Sequence, residues 1–268
     1  MFFLGLVICI EIKFFGTFNL VDISFTILSK EDFPALPLKT FAFPEFINIT
    51  ETLPNLWIFL FQIIGSPGVF ELVNKPIISD ASSVILSEPL DVSKFSLIYA
   101  GAQKNIGPAG LTIVIIDRDF MELGNQKIPN ILKYSEHSIA ESMLNTPPTF
   151  AWYMAGKVFK WIKKQGGLEF FKQQNYSKSS KLYEYIDSSD FYSNNIDIEN
   201  RSIMNVTFFL ENDELDSPFL LHAEENGLLN LKGHRSVGGM RASIYNAMPL
   251  EGVEELIKYM KYFESKYG

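Results

Sequence analysis

Apolar residues fall along this chain in two ways, and the change comes near residues 74 to 78. Beyond that point the pattern is regular. Ile77-Ile78 reads as a short buried strand running into Asp80, and Leu97 to Ala100 as a second. Leu111 to Ile116 is a continuous apolar run of the sort a central strand needs, because both of its faces are covered. Short apolar strands divided by polar turns predict an α/β sheet. Over residues 145 to 165 the period becomes helical, with Ala151, Met154, Ala155, Val158 and Ile162 recurring on one face. Thr146 is placed to cap that helix, Pro147 and Pro148 suit a first turn, and Gly166-Gly167 ends it. A second helix is predicted from about Leu250 to Lys266, with Pro249 at its entrance. Val253, Leu256, Ile257 and Met260 share its apolar face, and Glu254 and Lys258 form a pair outside. Met204 to Leu210 reads as a strand between the two, so the last hundred or so residues form a small α+β domain.

Residues 1 to 75 show apolar patches with no sustained period of either kind. They hold more than half of the phenylalanines and no arginine or histidine, and Pro34, Pro37, Pro44, Pro54 and Pro67 cut them into short pieces. No coherent fold is predicted there. The opening MFFLGLVICI stops at Glu11 without a preceding basic residue, which fits a signal peptide poorly. Leu56 to Ile64 is far short of the roughly 20 residues of a membrane helix, so no membrane partner is expected.

With 268 residues, 47% of them hydrophobic, the chain can bury a sizeable core. A net charge of -8 argues against nucleic acid, whose phosphates call for a clustered basic surface. A single cysteine, Cys9, excludes an internal disulfide framework and a cysteine-only metal site; a reducing, cytoplasmic setting follows, with no metal expected.

Three places could carry chemistry. Lys104 lies in AGAQKNIGPAG, after the apolar run ending at Tyr99; an isolated lysine in a turn is usually just solvated. Here Gly101, Gly107 and Gly110 let backbone approach a ligand, and an amine desolvated in such a pocket becomes nucleophilic toward an aldehyde. Asp80 closes the strand before it. Its carboxylate is either the acceptor of a local turn or, at a strand's carboxyl end, a partner for a protonated ring nitrogen. His234, Arg235 and Arg241 then gather cationic groups among glycines in GHRSVGGMR, with half of the chain's arginines. An arginine fork matches carboxylate or phosphate, and structural ion pairing is an equal expectation for either residue taken alone.

Three long segments, DASSVILSEPLDVSKFSLIYAGAQKNIGPAGLTIVI, NTPPTFAWYMAGKVFKWIKKQGG and GHRSVGGMRASIYNAMPLEGV, resemble the phosphoserine aminotransferase family. These are class V aminotransferases of the type I pyridoxal-phosphate fold. The resemblance implies pyridoxal 5'-phosphate as cofactor, Lys104 as the lysine joined to it and as proton shuttle, Gln103 as a cofactor contact, and Asp80 as partner of the ring nitrogen. It implies that Asn145 and Thr146 reach the cofactor phosphate of a neighbouring subunit, hence a homodimer with shared sites. His234, Arg235 and Arg241 would bind substrate anions, Arg241 as the carboxylate fork. The activity implied is amino transfer between glutamate and 3-phosphohydroxypyruvate in serine biosynthesis.

The resemblance covers about residues 77 to 268. By it, residues 76–167 are the remainder of a cofactor-binding large domain and 168–268 the C-terminal small domain. Residues 1–75 lack the family's glycine-arginine phosphate loop, its threonine contact and the context of its stacking tryptophan, which Trp57 does not reproduce. The alternative is therefore an inactive aminotransferase fragment that serves at most as a dimerisation or interaction module. A sheet cut short in this way exposes apolar edges unless the upstream segment covers them.

Overall fold

The computed structural model describes residues 76–235 and 237–268, together with the strands β1 (Gly5–Ile12), β2 (Pro37–Leu38) and β3 (Ile58–Phe61). Trp57 lies outside the described residues. Three strands follow in regular sequence: β4 (Ile77–Asp80), β5 (Leu97–Gly101) and β6 (Leu111–Asp117). Their sheet has the order β2-β1-β6-β5-β4-β3. β4 runs parallel to β5 in a register that sets Asp80 opposite Tyr99, and β5 runs antiparallel to β6. As the unbroken apolar run predicts, β6 is interior, and Leu111, Ile113, Val114, Ile115 and Ile116 are all buried.

The upstream segment supplies pairing where its own pattern predicted nothing. β1 lies parallel to β6 from Leu6 opposite Leu111 to Ile12 opposite Asp117, and β3 lies parallel to β4. Both sides of the β4–β5–β6 group are thus occupied. Periodicity could not reveal these strands because GLVICIEI and IFLF are short apolar runs without alternation, which a parallel strand does not need.

Beyond β6 come the short helices α1 (Arg118–Glu122) and α2 (Tyr134–Ile139), then α3 (Thr149–Gln165) and α4 (Gly167–Asp187). α3 begins at Thr149 behind Pro148, which makes no side-chain cap bond; Thr146 and both prolines precede the helix, correcting the expected cap at Thr146. Proline at the position before a helix fixes an extended approach, so two in succession delay the first turn. The stop is as expected. Gly166 takes a left-handed conformation, φ 114°, open to glycine without penalty. The buried face of α3 is Ala151, Ala155, Phe159 and Ile162, while Met154 and Val158 sit half-buried at its margin.

The chain forms two compact units, Met1–Glu169 and Phe170–Gly268. In the second, a three-stranded antiparallel sheet of β7 (Tyr192–Ser193), β8 (Asn205–Leu210) and β9 (Met240–Ser243) packs with α5 (Asp216–Glu225) and α6 (Leu250–Tyr267). Val253, Leu256, Ile257 and Met260 are buried on α6, joined by Tyr259 and Phe263. Phe219 sits at the centre, edge-on to Phe263 at 5.0 Å and to Phe208 at 5.9 Å. Each such fully buried ring contributes about 1.5–3 kcal/mol by leaving water. The expected Glu254–Lys258 pair does not form: Glu254 pairs with Lys181 on α4, and Lys258 with Glu255 at 3.2 Å. A partner on another helix takes the carboxylate that the local spacing offered.

Candidate active site

Because β4 and β5 are parallel, their carboxyl ends lie together. Asp80 ends the first and Gly101 the second, with Lys104 three residues on. The turn after Asp80 is tied across to β5 residue by residue. The Ala81 amide donates to the Tyr99 carbonyl at 2.8 Å, and the Gly101 amide donates to the Ser82 hydroxyl at 3.0 Å. Asp80 Oδ1 accepts the Ser82 amide at 2.9 Å, so the turn role expected of this aspartate is present. It does not exhaust the carboxylate. Tyr99, directly opposite, gives its hydroxyl to Asp80, and its ionisation is pushed well above the ordinary tyrosine range, first by burial and then by the Asp80 charge.

Lys104 stands on a short closed turn. Ala102 accepts the amides of Lys104 and Gly107, both at 2.7 Å, and Ala102 and Ile106 are wholly buried on either side. Buried Asn105 donates its side-chain amide to the Ile85 carbonyl at 3.0 Å. With its neighbours anchored, Lys104 is half-buried and its amine donates to the hydroxyl of buried Ser83. Gln103 is exposed, and its amide folds back over Gly101, where any Cβ would stand 2.5 Å from Oε1.

Asn145 and Thr146 are exposed in the approach to α3, beside the partly exposed Met143 and Leu144. In the second unit, the cationic cluster rides on a loop that folds back against β8. Gly233 donates to Gly239 at 2.8 Å, and a Cβ on Gly233 would lie 1.9 Å from the Gly238 carbonyl. Gly239, φ 56°, passes so close to Phe208 and Phe209 that no other residue fits. His234 and Arg235 are exposed on this loop, whereas Arg241 is half-buried on β9. The Arg241 Nε is buried with no hydrogen-bond partner among the described residues. A buried donor of that kind is costly unless something arrives to accept from it, and an anion is the natural acceptor.

Sequence reasoning missed Ser83, Tyr99 and, in the second unit, Lys178. Ser83 and Tyr99 lay inside quoted segments but carried no signal beyond position. Lys178 did carry one: on α4 the apolar series Leu168, Phe171, Leu182, Ile186 is interrupted at helical spacing by Asn175 and Lys178, and all six are buried. The Lys178 ammonium donates to the carbonyls of Ile244, Tyr245 and Met248 at 2.9, 2.9 and 3.0 Å. Asn175 donates to Asn246 at 2.8 Å, so α4 grips the connection that leads from β9 to α6.

The sequence profile of the aminotransferase class-V family matches residues 72–256. A curated relative, the phosphoserine aminotransferase of Acinetobacter baylyi, is 61% identical over 196 residues, covering 73% of this chain and 55% of that protein. Phosphoserine aminotransferase from Bacillus circulans subsp. alkalophilus superposes with a TM-score of 0.70 at 46% identity, over 74% of this chain and 55% of that one. The pyridoxal-phosphate-bound phosphoserine aminotransferase of Trichomonas vaginalis gives 0.67 at 43% identity, over 70% and 54%. The chain thus spans about half the length of the curated relatives it matches. Its architecture is that of the type I pyridoxal-phosphate aminotransferases, with the large domain present in part. The chain belongs to the class-V aminotransferase family.

Proposed function

We propose that the chain carries the lysine-bearing part of a phosphoserine aminotransferase and transfers an amino group between glutamate and 3-phosphohydroxypyruvate with pyridoxal 5'-phosphate. The observation that supports this most directly is the pairing of Asp80 with the Lys104 turn at the adjoining carboxyl ends of two parallel strands. Ligands of open α/β sheets bind at such ends.

The residues fit the group. A half-buried amine suits its aldehyde, and a half-buried carboxylate with spare acceptor capacity suits its ring nitrogen. When bound, the cofactor supplies that aldehyde and an electron-accepting ring. Lys104 Nζ would hold the cofactor through its aldehyde end and move the proton that transamination requires, since a primary amine serves both as nucleophile and as base. The Asp80 carboxylate would hold a proton on the ring nitrogen, and Gln103 would contact the cofactor. Arg241 would take a substrate carboxylate through its unpartnered Nε, with His234 and Arg235 adding positive charge for a second anion. Exposed Asn145 and Thr146 would serve the phosphate end in a second copy of the chain, making a homodimer.

A second reading is an inactive fragment that binds only other chains. The coverage of about half of its relatives favours it, as does the start of the family match at residue 72. One experiment separates the two. Purified chain mixed with pyridoxal phosphate should develop a visible absorption band that survives gel filtration and disappears in Lys104→Ala. A wild-type chain that emerges colourless sinks the enzyme reading.

A further inference from the structure

We propose that Ser83 is a positioning residue for Lys104, its hydroxyl being the resting acceptor of the lysine amine whenever that amine is not covalently engaged. This rests on the reading of Lys104 as the lysine that joins the cofactor. Ser83 is 5% exposed, and a hydroxyl so buried needs a partner; the Lys104 amine is the one it has. The contact is braced on both sides. On one side Ser82 holds the Gly101 amide, and on the other Asn105 holds the Ile85 carbonyl, at 3.0 Å each. Segment 82–85 and segment 101–105 are thus joined by three rungs, and the middle rung is the lysine itself. Within segment 82–87 the amides of Val84 and Ile85 return to the Ala81 carbonyl, which closes the turn that presents the Ser83 hydroxyl to Lys104.

The chemistry calls for such a station. A lysine that alternates between covalent attachment and proton transfer is released in one half-reaction and re-engaged only at the end of the other, and a free four-carbon chain has many rotamers to lose before it acts again. A hydroxyl suits the task because it accepts from an ammonium or an amine and can donate to a neutral one. Unlike a carboxylate, it binds the released amine without trapping it as an ion pair.

The test uses the full chain without cofactor. Reductive methylation with formaldehyde and cyanoborohydride is followed by peptide mass spectrometry at Lys104, at exposed Lys164 and at buried Lys178, in wild type, Ser83→Ala and Ser83→Thr. An amine tied to Oγ must leave it before attacking, so Ser83→Ala should label Lys104 about three- to ten-fold faster, the worth of one net hydrogen bond. Ser83→Thr, which keeps the hydroxyl, should restore the wild-type rate. Lys164 and Lys178 should not change. Equal or slower labelling of Lys104 in Ser83→Ala overturns the proposal, and so does an acceleration shared by Lys178, which would mark general loosening. Failure of the wild-type chain to take up pyridoxal phosphate would instead remove the reading of Lys104, with the labelling rates unaffected.

Discussion

At the scale of single residues, Asp80 combines a turn role with the cofactor role proposed for it. One of its oxygens closes a turn with Ser82, and its charge faces Tyr99 across a parallel pair. The coupling has a sign that can be read. Asp80→Asn removes the charge, so Tyr99 should ionise at lower pH than in the wild type, measured by NMR of ring-labelled tyrosine. An unchanged midpoint would show that the carboxylate does not act on it. Because folding favours the neutral phenol, Tyr99 stabilises the fold below about pH 10 and withdraws that support as the pH climbs and the unfolded chain sheds its proton. Asp80 and Lys104 were legible in the sequence because each follows a recognisable apolar run inside a long segment that resembles the aminotransferase family. Tyr99 and Ser83 were not, because their roles exist only through the register that brings β4 and its turn against β5 and its turn.

At the scale of elements, what could be read depended on how apolar each face was. β4, β5, β6, α3 and α6 announce themselves by run or period, and the structure places them within a few residues of expectation. α4 was missed. It is long, but its buried face spends two positions on Asn175 and Lys178, and its exposed face is rich in polar residues. Burial pulls the Lys178 ammonium from the usual 10.5 down to about 8. Across that interval the unfolded chain holds more protons than the folded one, so this group raises the unfolding free energy with pH. Lys178→Met should cost about 2–4 kcal/mol at neutral pH by taking the donor from the buried contact to the Ile244 carbonyl and from the part-buried contacts to the Tyr245 and Met248 carbonyls. The deficit should widen between pH 8 and 10, read as midpoints of urea unfolding. A gap that narrows would contradict the assigned direction.

At the scale of the whole molecule, the decisive fact is that a family match beginning at residue 72 leaves a sheet needing neighbours. β1 and β3 supply them from sequence with no period of its own. A chain beginning at residue 76 would lose the partner of β6 along seven register positions and that of β4 along four. Unpaired strand edges recruit other chains, so that shortened protein should scatter light and enter large oligomers under conditions where the full chain does not. A monodisperse shortened protein would show that the upstream strands are dispensable.

The Lys178 grip also bears on the order in which the second unit assembles. It joins residues 66 to 70 positions apart, whereas the α4 turns around it close over three or four. Loops of that length close late, after local structure has formed. An ammonium that meets its three carbonyls only at the end therefore acts as a latch on the finished unit, setting how long the native state persists more than how fast it is reached.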